Sequence, residues 1–421
     1  MIINNYELYG DCLKSVVIGK VKFYSMINDK IFTLKVKKIE KTNAVSIIAS
    51  SLRHYLFFKT IFEKNYNLTN DNPLFFQLIF LLTDLMFTKR NESNSIRDTI
   101  IEACKKAEFS VPGEEVFLTF MSDTPKSILA KVFNNETVPE LTSARYNIPL
   151  WLLDMWRKQY EKEFANIIRN ISSKHKIYCK VNSKINVDNI SLATDPDYRL
   201  DKSGLYEYIG KTSFKKVPAV QSNLVYETCG VDQYITNCMK VKPEQKIVLY
   251  ANEKNSLFFD LLSKFNKENT LYFFSKDFTR LSKYLEFVRK NKHDRVFYAQ
   301  TDIEGLEARL PDKADIFYFC PTNSDLAYLH VTPEYLINFD NESLNSIIEE
   351  QKKSLNIVKK FVVEDGYLVY FNHTLDKKES ERMIEDFLSA NKNYLLIDQK
   401  TFFPTFIDNN FGYYAILKRI Y

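Results

Sequence analysis

Apolar residues in the first third of the chain recur at helical spacing. Between Ala44 and Glu63 they fall at Ile47, Ile48, Leu52, Leu56, Phe57 and Ile61, the three-and-four step that lines one face of an α-helix. Leu74–Phe87 repeats the pattern more densely, with Pro73 in its first turn after Asp71 and Asn72, a start signal. Ser95–Lys106 predicts a third helix and Pro125–Val132 a fourth, with Thr124 placed to cap it. Residues 1–135 therefore read as a helical bundle with mostly buried faces.

The pattern then changes twice. From 136 to 215 a helix is expected over Leu150–Tyr160, beginning on Pro149 and carrying Trp151 and Trp156. A short strand follows at Ile177–Asn182, and Asp195–Leu205 is polar and turn-rich. From 216 to 421 short apolar runs alternate with amphipathic stretches. The runs are Ile247–Tyr250, Leu271–Phe274, Val296–Ala299, Ile316–Phe319, Tyr367–Phe371, Tyr394–Ile397 and Tyr413–Leu417. The helical stretches are Leu257–Phe265, Thr279–Arg289, Leu344–Val362 and Lys377–Leu388. Strands alternating with helices predict a doubly wound, mostly parallel sheet. The last two runs have no helix between them, so an antiparallel hairpin should close it. Five alternating strands and a terminal hairpin are the layout of class I methyltransferases.

Composition sharpens this reading. There are 9 glycines in 421 residues, where ordinary usage would give about 30, and none lies between Gly230 and Gly305. A phosphate- or nucleotide-cradling loop in that window must do without positive-φ glycine. The six cysteines are scattered and the five histidines do not cluster with them along the chain. Neither a disulfide framework nor a metal site is expected, which fits a reducing cytoplasm. The start of the chain lacks the charge and apolar run of a signal peptide, and the most apolar stretch, Leu74–Phe87, is too short and polar to span a bilayer. A net charge of +5 permits a polyanionic partner without requiring one.

The order of several short motifs resembles the RsmB (Sun/Fmu) branch of the RsmB/NOP RNA cytosine-5 methyltransferases over nearly the whole chain. Arg145-Tyr-Asn-Ile-Pro-Leu-Trp-Leu152 is similar to that family's Arg-Tyr-Ser-x-Pro-x-Trp segment, and Lys180-Val-Asn182 to its Arg-Val-Asn. Arg280-Leu281, Asp302, Pro333-Glu334, Gly366-Tyr-Leu-Val-Tyr370, Glu379-Ser-Glu381 and Phe411-Gly-Tyr-Tyr-Ala415 follow in the family's order and spacing. The resemblance implies an α/β fold: a Rossmann-like class I methyltransferase domain (216–421), preceded by an all-α NusB-like bundle (1–135) and a small α+β RNA-contacting subdomain (136–215). It implies S-adenosylmethionine as the family's cofactor and small-subunit rRNA as the partner. A cytoplasmic monomer with no membrane or metal partner is expected.

The family's chemical motifs are missing. Its glycine-rich cofactor loop falls on Ala251-Asn-Glu-Lys-Asn-Ser256 and its ribose-binding Asp on Ser275, with Asp277 two residues away. Its nucleophilic cysteine, which makes cytosine C5 reactive by covalent addition, falls on His373. Its second cysteine falls on Asn323, and Cys320 stands at the cytosine-recognising Asp. Cys320 as a displaced nucleophile would precede its proline rather than follow it.

Each candidate has a plainer reading. His373 could act as a base or RNA contact, or pack locally. Asp302 and Asp277 could hold a remnant of the cofactor site. Trp151 and Trp156 suit a core better than a base-stacking platform. Glu379 and Glu381 suit a helix N-terminus better than acid–base work. Lys180, Lys211, Lys215, Lys216 and Arg53 could meet phosphates or simply be solvated. Three functions stay open: a catalytically degenerate rRNA-binding or ribosome-assembly protein that no longer binds S-adenosylmethionine; an active S-adenosylmethionine-dependent rRNA cytosine-5 methyltransferase; and a protein-interaction scaffold.

Overall fold

A computed structural model describes residues 2–171, 176–182, 192–202, 204–251, 257–277, 284–285, 288–289, 294–326, 334–405 and 411–421. The chain divides into two compact units, Met1–Lys158 with Leu329–Asp340, and Gln159–Tyr328 with Asn341–Tyr421.

The first unit is helical, as the spacing predicts. Its central helix, Pro73–Thr83, buries every residue except Pro73 and Gln77, and Asn72 caps it by accepting the Leu74 amide. Aromatic rings fill the space around it, with Phe62 meeting Phe75 edge-on at 5.5 Å and Tyr9 lying 5.0 Å from Phe80. Each such ring contributes roughly 1.5–3 kcal/mol through burial. Thr124 caps Pro125–Val132 as expected, accepting from the Ser127 amide.

The helix expected over Ala44–Glu63 is instead two, Lys38–Arg53 and Tyr55–Asn65, broken at His54. The break leaves backbone groups at both helix ends without helical partners. Asn147 supplies them, accepting from the Leu56 amide at 2.8 Å and donating to the Leu52 carbonyl at 3.1 Å. It does so from a left-handed backbone, φ 55°, a conformation Asn tolerates better than most residues.

Among the described residues the second unit holds two sheets. The smaller is antiparallel, in the order β2 (Tyr198–Leu200), β3 (Tyr206–Tyr208), β1 (Ile177–Val181), β4 (Val225–Thr228). The polar stretch Asp195–Leu205 thus contains a strand, β2, that its turn-rich composition hides.

The larger sheet has seven strands: β5 (Lys246–Ala251), β6 (Thr270–Ser275), β7 (Val296–Gln300), β8 (Ala314–Cys320), β9 (Val362–Asn372), β10 (Tyr394–Phe402) and β11 (Gly412–Arg419). Their spatial order is β10-β11-β9-β8-β5-β6-β7. β5 to β9 are mutually parallel, and β11 runs antiparallel to both β9 and β10. The chain leaves β5 toward β6 on one side and returns beside it as β8 on the other. The carboxyl ends of β5 and β8 therefore bound the crevice where open α/β sheets hold ligands.

β9 begins five residues earlier than its apolar run, at Val362. Its register against β8 slips between the pairs Ala314–Val362 and Ile316–Tyr367. Gly366 sits in that irregularity, where a Cβ would stand 2.9 Å from the Val363 carbonyl oxygen and 3.0 Å from that of Asp315. The helix expected over Lys377–Leu388 starts later, at Glu381, because residues 377–380 form a turn. Most of Thr279–Arg289, including Arg280-Leu281, lies outside the described residues, as does Pro333.

Candidate functional site

The carboxyl end of β9 presents Asn372, His373 and Thr374, all at most 1% exposed. β11 holds this tip in place. Tyr413 pairs with Asn372, and Gly412 lets the backbones close: a Cβ there would lie 2.4 Å from the Asn372 carbonyl oxygen.

Below the tip a buried carboxylate ties several segments together. Glu379 accepts the Ser324 amide at 2.9 Å and the Gln351 side-chain amide at 2.9 Å, and its other oxygen meets the hydroxyls of Ser324 and Thr374. The Gln351 amide also reaches the Thr322 carbonyl, and the Tyr370 hydroxyl donates to the Glu379 carbonyl. Burial, then the nearby Asp376 carboxylate, pushes Glu379 up to about 7, against the donors on Ser324 and Gln351. Asp376 is itself pushed up by burial, although Gln159 and the Lys378 amide donate to it. Glu381, which opens the following helix, accepts instead from Thr401.

His373 turns the other way. Its Nε2 lies 3.1 Å from Asp232 Oδ1. Burial pushes the imidazole down to about 4, against the pull of the Asp325 carboxylate, so the ring is neutral at physiological pH. Asp232 is in the first turn of the helix Gly230–Asn237, whose N-cap, Cys229, accepts the Asp232 amide on its sulfur at 3.4 Å. Ligating atoms of Cys229, Asp232 and His373 all lie within 4.8 Å of one another, and all three residues are buried. The cysteines and histidines do not cluster along the chain, yet in space one of each meets here. Cys229 and Asp232 were not among the expected site residues. Their one sequence signal is the helix start Thr228-Cys229-Gly230 after a short apolar strand.

The other expected residues fall as follows. Cys320 closes β8 and is fully buried among Ile316, Tyr318, Val369 and Phe371. Asn323, 5% exposed, accepts the Asp325 amide. Ser275 is buried at the end of β6, and its hydroxyl accepts the Asp277 amide. Asp302, exposed past β7, accepts the Gly305 amide at the start of the turn Glu304–Ala308. Residues 252–256, where the cofactor loop is expected, lie outside the described residues. Lys180 donates to Gln233, which bonds Thr228, which in turn bonds the buried Asp260. Tyr226 donates to the same carboxylate, which burial pushes up. Lys211, Lys215 and Lys216 are exposed around a short turn, and Arg53 is exposed in the helical unit. Trp156 is fully buried, and Trp151 lies 6.0 Å from Phe339.

The strand order, with its switch point between β5 and β8 and antiparallel β11 set between β9 and β10, defines an α/β protein of the class I methyltransferase fold. Comparison with known proteins supports this assignment. No family model matches the chain, and no curated protein matches it. Solved structures do. PH0851 superposes with a TM-score of 0.69 at 17% identity, covering 98% of this chain and 99% of its own. A methyltransferase homolog protein from Pyrococcus horikoshii covers 66% of this chain and 98% of its own, at 14% identity and TM-score 0.53. NSun6 from Pyrococcus horikoshii with SFG covers 65% and 98%, at 15% identity and TM-score 0.51. At such identities the likeness is one of fold. Among the described residues no helix is long and apolar enough to cross a membrane.

Proposed function

We propose that this chain is an RNA-binding protein of the RNA methyltransferase type whose methyl-transfer chemistry has been lost, and that it acts on small-subunit rRNA, in ribosome assembly or in another RNA-binding role. In this reading residues 1–135 are a NusB-like RNA-binding bundle, 136–215 a small RNA-contacting subdomain and 216–421 the former catalytic domain. The protein works as a cytoplasmic monomer and does not bind S-adenosylmethionine.

One observation carries the reading. At the position where the resembled family places its nucleophile stands a neutral imidazole, 1% exposed and hydrogen-bonded to Asp232. A nucleophile must reach its substrate and carry a lone pair matched to the addition, and this one is buried and engaged. The second cysteine position, Asn323, is also buried, and its side-chain oxygen accepts the Asp325 amide. The named neighbours, a methyltransferase homolog protein and NSun6, support the RNA methyltransferase class by fold.

Calorimetric titration of the full chain with S-adenosylmethionine tests the loss; no binding is expected, and micromolar binding would overturn it. Crosslinking in cells should recover a reproducible rRNA footprint. Its absence would leave the scaffold reading. The Cys229 thiol within 4.8 Å of the His373 ring favours the active-enzyme alternative, for which bisulfite sequencing of rRNA from a deletion strain should show one methylcytosine lost.

A further inference from the structure

Cys229, Asp232 and His373 join two elements far apart in sequence. The first two open the helix Gly230–Asn237, and the third ends β9. We propose that these three side chains form a buried binding site for a divalent transition-metal ion of the zinc class.

The donor set is one that zinc takes: thiolate, imidazole nitrogen and carboxylate oxygen. The separations are close to those of a tetrahedral site. His373 Nε2 and Asp232 Oδ1 stand 3.1 Å apart, where bonds of about 2.0–2.2 Å would place them about 3.3 Å apart. All three ligating atoms already lie within 4.8 Å of one another, so closing on a common ion needs shifts of roughly 1 Å, the longer Zn–S bond included.

Charge favours the same ion. One thiolate, one carboxylate and a neutral imidazole sum to −2, and a divalent cation brings the buried cluster to zero. Uptake releases the thiol proton, and the imidazole keeps its single proton on Nδ1 so that Nε2 can ligate, as metal binding to such donors requires. The Asp232 amide already donates to the Cys229 sulfur, and the helix N-terminus favours negative charge on it. Three protein ligands leave a fourth position for water or another donor. The ion would pin the helix Gly230–Asn237 to the tip of β9, whether or not RNA or a methyl donor is bound.

The competing explanation is that Cys229 is only a helix N-cap and His373 only a packed partner of Asp232. Cys229→Ser separates the two, since serine caps a helix well but is no thiolate. The full chain, purified from zinc-supplemented cells and separately refolded with zinc sulfate, should carry one zinc per chain by elemental analysis. Replacement by cobalt(II) should give a thiolate-to-cobalt charge-transfer band. Cys229→Ser should abolish that band and weaken zinc binding by more than about 100-fold, beyond the loss typical of outer-shell changes. Asp232→Asn should weaken it too, and Cys238→Ser should leave it unchanged. Absence of stoichiometric zinc from the wild-type chain by both routes, or a Cys229→Ser chain that binds like wild type, overturns the proposal.

Discussion

Glu379 lies under the strand tip, fully buried, and its charge state is set by opposing forces. Burial and the Asp376 carboxylate raise it from 4.5 to about 7, while the Ser324 and Gln351 donors pull it back. Its folded pKa is above its unfolded one, so its contribution to stability is fully present below the unfolded value and is lost as pH rises through the folded value. Between pH 4.5 and about 7 the chain should lose about 3 kcal/mol through this one group. Glu379→Gln keeps an acceptor oxygen and removes the titration. Urea unfolding of both proteins across that window should give a wild-type midpoint that falls more steeply with pH than the variant's. Parallel slopes would show that folding leaves the Glu379 pKa unshifted. The acid itself is visible in the sequence as part of Glu379-Ser-Glu381. Its burial is not, because Ser324 and Gln351, which satisfy it, stand 55 and 28 residues away.

Among the elements, those with an unbroken apolar period are legible. β5, β6 and β8 appear at nearly their observed limits because each is a run of apolar residues buried on both faces, a pattern that only a central strand needs. The helix break at His54 is illegible for a specific reason: apolar spacing continues through it, and the residue that makes the break tolerable, Asn147, lies 91 positions from Leu56. Two substitutions test that account. Asn147→Gly removes both side-chain bonds but keeps the left-handed backbone, and should cost about 1–3 kcal/mol. Asn147→Ala should cost about 1–2 kcal/mol more, the penalty of a Cβ at φ 55°. Denaturant midpoints ordered wild type, Gly, Ala would support it. An Ala variant as stable as the Gly variant would mean that the backbone relaxes there.

At the scale of the whole molecule the resemblance carried the fold, and the sheet order and structural neighbours agree with it. The site was legible only as a set of absences: the sequence shows that no cysteine stands at 373, and cannot show that Cys229, 144 positions earlier, folds in beside it. The same limit applies to the basic residues. Five were candidates for phosphate contact, and the fold separates them by environment. Lys180 is engaged with Gln233, within a chain of bonds to the buried Asp260, so its replacement disturbs packing as well as charge. Lys211, Lys215 and Lys216 are exposed on one short stretch of the second unit. If that stretch meets an RNA backbone, replacing all three with alanine should weaken binding evenly across sequences. It should also flatten the dependence of log affinity on log salt by up to about 2, at roughly 0.7 per phosphate contact on a single strand. Filter binding to small-subunit rRNA fragments at several salt concentrations reads both quantities. Because the three side chains are solvated, folding should be unaffected, so a lost slope cannot be blamed on a damaged core. An unchanged slope would take these lysines off the RNA path and leave Lys180 and Arg53 as the expected contacts still to be tested.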